Sequence, residues 1–171
     1  MKAISIWQPH ASLIVMGLKP FETRSWTAWK SLIGKRIWIH AGKALDDLLD
    51  LNEYLEDRNA GHHDQDYDAY VEALRACGFK YLRDMPRGCL IGTAVLEASL
   101  PTENLTNPGP FGNFGPGRFA WQMTDPIPLA TPIPFAGKQG FFEVQDYVFS
   151  SADFALSTAA VLKGKSRNRA E

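Results

Sequence analysis

The stretch Gly17-Leu18-Lys19-Pro20-Phe21-Glu22-Thr23-Arg24 sets the reading of this chain. Gly17 is a natural helix stop, because glycine takes up the left-handed conformation that closes a helix at no steric cost. Pro20 then forbids helical continuation, and the residues after it read as a strand. In an extended chain alternate side chains share a face, so Glu22 and Arg24 lie together, with Lys19 at the preceding turn. Three ionisable groups converging beside a helix end shift one another's pKa, which is how sites acquire a usable base or electrophile. The same residues also read as a surface ion pair of small energetic consequence.

Upstream, Lys2 to Trp7 alternates apolar Ala3, Ile4 and Ile6 with Ser5 and reads as a first strand. Gln8-Pro9 opens a helix carried by Ala11, Leu13, Ile14, Val15 and Met16, with Pro9 in the first turn, where its missing N–H costs nothing. Downstream, Arg36-Ile37-Trp38-Ile39-His40 has the β-branched and aromatic content of a strand. Strand character returns at Gly88 to Leu100, at Arg118 to Thr124 and at Gln139 to Val144. Pro126, Pro128, Pro132 and Pro134 force an extended edge segment that cannot be a central strand. Between the strands lies Asn107 to Gly117, rich in glycine and proline, with Phe111 and Phe114; it reads as a surface loop, and it lacks any phosphate-binding glycine pattern.

Lys43 to about Gly78 differs in kind. Leu45, Leu48, Leu49, Leu51 and Leu55 recur at helical spacing among acidic residues, and Tyr67, Tyr70, Val71 and Leu74 do so again after a turn at Gly61 to Asp64. An acidic helical hairpin inserted between strands is expected, about 44–86. Short, unevenly spaced strands with an early helix and this insertion predict an α+β fold, a small, partly open β-barrel with flanking helices. A single domain over 1–160 and a basic, disordered tail over 161–171 complete the expected organisation.

The composition, 45% hydrophobic and 22% charged, belongs to a globular protein and excludes a disordered one. Cys77 and Cys89 are too few for a disulfide framework and read as reduced and structural, although a bridge between them is conceivable. No apolar run approaches the roughly 18 to 20 residues that span a bilayer, and the N-terminus is no signal peptide, so the cytoplasm is the expected location and no membrane partner is implied. The net charge of −1 conceals an asymmetry: residues 1–43 carry seven Lys/Arg against Glu22, whereas residues 44–86 carry four against eleven acids. A local positive field attracts phosphate whatever the total charge. Four of the five tryptophans, Trp7, Trp26, Trp29 and Trp38, lie in that basic segment. Aromatic faces beside Lys and Arg suit a stacked base and its phosphate, but one or two rings at most should meet a ligand, the rest being core.

Gly17-x-Lys19-x-x-Glu22-x-Arg24 resembles the G-x-K-x-x-E-x-R signature of the ASCH family, RNA-associated domains related to the PUA fold. Ile6-Trp7-Gln8-Pro9 before it and Ser25-Trp26 after it fit, as do Ile37 to Lys43 and, towards the end, Phe119-Ala120-Trp121 with Gly137 to Phe141. The resemblance covers most of residues 1–144 and points to bacterial or phage members. It implies a PUA-like barrel with a cleft bounded by the first helix and its neighbouring strands, and RNA or a modified nucleotide as partner. Lys19, Glu22 and Arg24 are the expected ligand-binding residues, joined by Trp26 and by Gln8, which either reads a base edge or bonds the backbone. Some small members resembling this chain are N4-acetylcytidine amidohydrolases with a Lys, a Thr and a later Glu as the proposed machinery. Lys19 stands at the lysine position and Glu22 where those enzymes have the threonine. A hydrolytic alternative, on a modified nucleoside or as a ribonuclease, therefore uses Glu22 as general base on water, with Lys19 or Arg24 steadying the oxyanion. Glu97, at the end of a later strand, is the candidate third member. A third alternative is a protein-interaction module whose acidic hairpin meets a basic partner.

His40, in an apolar strand, reads as a satisfied core histidine. His62-His63-Asp64-x-Asp66-x-Asp68 continues with Ala69 and Arg75 where a calcium loop requires Gly and Glu, so it reads as an acidic turn. No zinc spacing occurs, and neither a metal nor a cofactor is expected.

Overall fold

The computed structural model describes residues 1–44, 65–79 and 84–145. The strands are β1 (Lys2–Ile6), β2 (Phe21–Arg24), β3 (Lys35–Ala41), β4 (Cys89–Pro101), β5 (Phe119–Pro134) and β6 (Phe141–Glu143); the helices are α1 (His10–Val15) and α2 (Gln65–Ala76). The strands form one sheet in the order β2-β5-β4-β3-β1-β6. β1 runs parallel to β3 and every other pairing is antiparallel.

α1 ends as its sequence demands. Gly17 takes φ +77°, Gly17 N–H bonds to Ile14 O at 3.0 Å and Leu18 N–H to Leu13 O at 2.9 Å, the paired bonds of a Schellman stop. At the other end Pro9 sits at the N-cap, one place before the expected first turn, and has no side chain to cap with. Gln8 does that work: its Oε1 accepts the Ser12 N–H at 3.1 Å.

The sheet curls until its two ends meet. Trp121 of β5 stacks on Phe141 of β6, at the opposite edge, with ring centroids 5.2 Å apart and planes 10° from parallel. Trp26 meets Trp121 edge-on at 4.6 Å. Arg24, at the end of β2, donates from Nη2 to the Ser5 carbonyl of β1 at 3.0 Å. The main core, from Ile4 and Ile6 through Ile37, Ile39 and Leu96 to Trp121, fills the concave side beneath α1. The result is the partly open barrel with flanking helices that the pattern predicts, with a seam between β2 and β1/β6.

The proline-rich half of β5 pairs with β4 (Gly92 opposite Pro128, Cys89 opposite Pro134), whereas β2 pairs only with Phe119–Gln122. Prolines are tolerated there because this half of β5 is an edge, where a missing N–H costs nothing if it faces the unpaired side. Of the expected acidic hairpin, the second run is α2, whose Val71 and Leu74 are buried against Leu13 and Met85. The first run, the turn at 61–64 and the tail at 161–171 lie outside the described residues. Cys77 and Cys89 are both free, and burial raises the pKa of each thiol. No helix among the described residues is long and apolar enough to cross a membrane.

Candidate functional site

Lys19, Glu22 and Arg24 do converge, in a linear array across the end of β2. Glu22 Oε2 lies 3.6 Å from Lys19 Nζ, and Glu22 Oε1 lies 3.0 Å from Arg24 Nε. One carboxylate thus serves two cations. Lys19 is only 2% exposed, because its ammonium also donates to the Phe111 carbonyl of the 107–117 loop. That loop is held in turn by Arg118, whose Nε donates to Asn113 O at 3.1 Å, and by Tyr70 of α2, whose ring packs on Phe111 at 4.9 Å. Burial lowers the Lys19 pKa; the Glu22 carboxylate, by its charge and hydrogen bond, works against that, and Arg24 adds to it. Lys19 is the back of the array and Arg24 its front.

Arg24 opens onto two adjoining cavities along the seam. The larger, about 550 Å³, is lined by Ser5, Trp7, Arg24, His40, Lys43 and Lys138 among others. The smaller, about 260 Å³, is lined by Trp7, His10, Glu22, Arg24, Trp26 and Arg118 among others. Trp7 and Arg24 belong to both, so the two form one groove. Trp7 is 49% exposed, an indole standing free at the junction. Arg24 is preorganised, since Glu22 and the Ser5 carbonyl fix its guanidinium before any ligand arrives.

The other expected residues are placed differently. Trp26 lines the smaller cavity with one edge, while its ring packs on Trp121 and Phe141. Gln8 is fully buried: its Nε2 donates to Ser12 Oγ and to the Pro86 carbonyl, each at 2.8 Å. Glu97 is exposed on β4, accepts from Thr124 Oγ1 at 3.3 Å and lines neither cavity. His40 is buried and bonded at both ring nitrogens, as a core histidine should be, yet it also floors the larger cavity. In the sequence Trp7 is marked only as one of the tryptophans of the basic segment, and Lys43, Arg118 and Lys138 are not picked out. A signal existed for three of them, because Trp7, Lys43 and Lys138 fall in the flanking blocks that carry the resemblance. Arg118 had none. Among the described residues no group of three or more His, Cys, Asp or Glu could hold a metal ion.

A curled α+β half-barrel with its groove along the open seam is a PUA-like domain. The model of the ASCH domain matches residues 4–107, more than half of the chain. The protein belongs to the ASCH domain family. Among solved structures it is similar to an ASCH protein from Zymomonas mobilis, with 18% identity over 85% of this chain and 88% of that one and a TM-score of 0.50. A serine-to-alanine variant of the Zymomonas mobilis protein gives 17% identity over 94% of each chain and a TM-score of 0.49. At such identity the first likeness speaks to the fold alone. No curated protein matches the chain.

Proposed function

We propose that this ASCH domain binds nucleic acid, with single-stranded RNA or a modified base favoured, in the groove along the seam. The observation that carries the reading is the exposed indole of Trp7 at the junction of two cavities, with Arg24 beside it and Lys43, Lys138 and Arg118 around the rims. A free aromatic face offers a platform for an unstacked base, and surrounding cations receive the backbone phosphates. Glu22, reaching the smaller cavity, can accept from the exocyclic amine of a base, with Lys19 paired behind it. Trp26 supplies an apolar wall, and Gln8 braces the start of α1 directly after Trp7. The test is fluorescence anisotropy with a labelled single-stranded RNA and its duplex counterpart. Single-stranded RNA is expected to bind in a salt-sensitive manner, more weakly to Arg24→Ala and Trp7→Ala. Unchanged affinity in both variants overturns the assignment.

A second reading, hydrolysis of a modified nucleoside such as an N4-acylcytidine, or of RNA, draws on the lowered pKa of buried Lys19 beside Glu22. Glu22 would activate water and Lys19 or Arg24 would steady the developing oxyanion. Mass spectrometry of the incubated nucleoside and RNA separates the two: product that disappears in Glu22→Gln, with ligand still retained, establishes the enzyme.

A further inference from the structure

We propose that Ser5 and His40 form a nucleophilic site in the larger cavity, beside Arg24, that hydrolyses carboxylic esters bearing an anionic group. Parallel pairing of β1 and β3 sets Ser5 beside His40. Ser5 Oγ stands 3.0 Å from His40 Nδ1, and His40 Nε2 stands 3.0 Å from the Phe135 carbonyl oxygen. A carbonyl oxygen can only accept, so Nε2 carries the ring proton and the Nδ1 lone pair faces the Ser5 hydroxyl. Nucleophile, base and orienting group are thereby in sequence, the arrangement that activates a serine. Burial lowers the His40 pKa, against the Phe135 hydrogen bond and with help from the charge of Lys43, so the imidazole is in its basic form at neutral pH.

The pair opens into the larger cavity, and Ser5 itself is half-buried. Gly137 packs directly on it: a Cβ there would stand 2.3 Å from His40 Cε1 and 2.7 Å from Ser5 Oγ, so only glycine fits at that position. Arg24, Lys43 and Lys138 line the same cavity, which selects a substrate with negative charge. The orienting group is an uncharged carbonyl and Lys43 opposes an imidazolium, so the base is weak; that suits an ester, with its good leaving group, better than an amide.

Ser5 Oγ bonds to the acyl carbon as its proton passes to His40 Nδ1, the acyl C–O bond breaks, and the departing alkoxide takes that proton and leaves as alcohol. Water then attacks the acyl-serine, giving its proton to Nδ1, and the proton returns to Ser5 Oγ as the carboxylic acid departs. This inference does not rest on nucleic-acid binding, which anisotropy on the same preparation reports separately.

The experiment treats the folded protein with a fluorophosphonate and maps the adduct by peptide mass spectrometry, alongside turnover of 4-nitrophenyl acetate and mono-4-nitrophenyl succinate. An adduct on Ser5 is expected, formed roughly 100-fold more slowly in His40→Gln of unchanged circular dichroism. The anionic succinate ester should turn over faster than the acetate, and Lys138→Ala should reduce that preference. No adduct on Ser5 in the folded wild type, or equal labelling of His40→Gln, overturns the proposal. Equal turnover of the two esters overturns the anionic preference.

Discussion

Glu22 is the residue on which two cations depend, and the consequences of removing it differ from those of removing either partner. Lys19 is almost fully enclosed, its ammonium bonded to Glu22 and to the Phe111 carbonyl. Truncating Glu22 leaves a buried charge without its counter-ion, a loss of about 3–5 kcal/mol for pairs of this kind. Replacing Lys19 with an apolar residue of similar length also removes the desolvated charge and is close to neutral. Urea denaturation should therefore show Glu22→Ala strongly destabilised, with Lys19→Met near wild type and the double variant Lys19→Met/Glu22→Ala recovering most of the loss. If Glu22→Ala unfolds with the wild-type midpoint, the pair contributes nothing. For Trp7, an exposed ring with no comparable structural duty, Trp7→Ala should cost about 1–3 kcal/mol of RNA affinity at unchanged stability. The convergence of Lys19, Glu22 and Arg24 was legible from strand alternation alone. The burial of Lys19 was not, because the carbonyl that seals it belongs to Phe111, far along the chain, in a loop whose sequence carries no directional signal.

Strand, helix and strand at the N-terminus follow directly from local pattern: alternation in Lys2–Ile6, a proline opening and a glycine close around α1, and Pro20 before β2. The proline-rich edge segment followed from the missing N–H groups. What local pattern could not convey is closure. The seam exists because Trp121 reaches Phe141 and Arg24 reaches Ser5, contacts between opposite ends of the sheet, and the groove residues Lys43, Arg118 and Lys138 gather only once those ends meet. The 135–140 segment is fastened by His40 through the Phe135 carbonyl, and the burial of this imidazole couples its ionisation to folding. The His40 pKa is lowered from 6.5, first by burial, with the Phe135 hydrogen bond opposing and Lys43 assisting. Between the lowered value and 6.5 the unfolded chain binds more protons than the folded one, so stability rises with pH across that window and falls as pH drops below about 6.5. Carboxylates add their own dependence, so the measurement is the difference between wild type and His40→Gln in thermal melts from neutral to mildly acidic pH. The variant should show the shallower loss; parallel curves would mean that His40 does not titrate with folding. α2 is tested by Leu74→Ala, since Leu74 is 2% exposed against Leu13 and Met85. A loss of about 2–5 kcal/mol is expected for a large buried side chain, and no loss would show that α2 is not part of the cooperative unit.

At the scale of the whole molecule the hidden basic charge of residues 1–43 does not form the single face that composition suggests. Lys2 pairs with Glu143 at 2.6 Å, Arg36 pairs with Asp125, and Lys19 is enclosed with Glu22. Only Arg24 and Lys43 of that segment reach the groove, where Lys138 and Arg118 join them from the far end of the chain. Among the described residues the groove therefore carries four cations of mixed sequence origin, and the number matters for binding. Each phosphate neutralised on a single strand contributes about −0.7 to the slope of log K against log salt. Full engagement of the four gives a slope near −3, and a strand that meets only the larger cavity engages Arg24, Lys43 and Lys138, for a slope near −2. Binding of one RNA measured across about 50 to 200 mM salt should yield a slope in this range. The Lys43→Ala/Lys138→Ala double variant should bind more weakly and lose about 1.4 from the slope's magnitude, while Lys30→Ala, on the exposed 3-10 turn outside both cavities, should leave it unchanged. A slope insensitive to the double variant would place the phosphates elsewhere on the surface and detach the seam from nucleic-acid binding altogether.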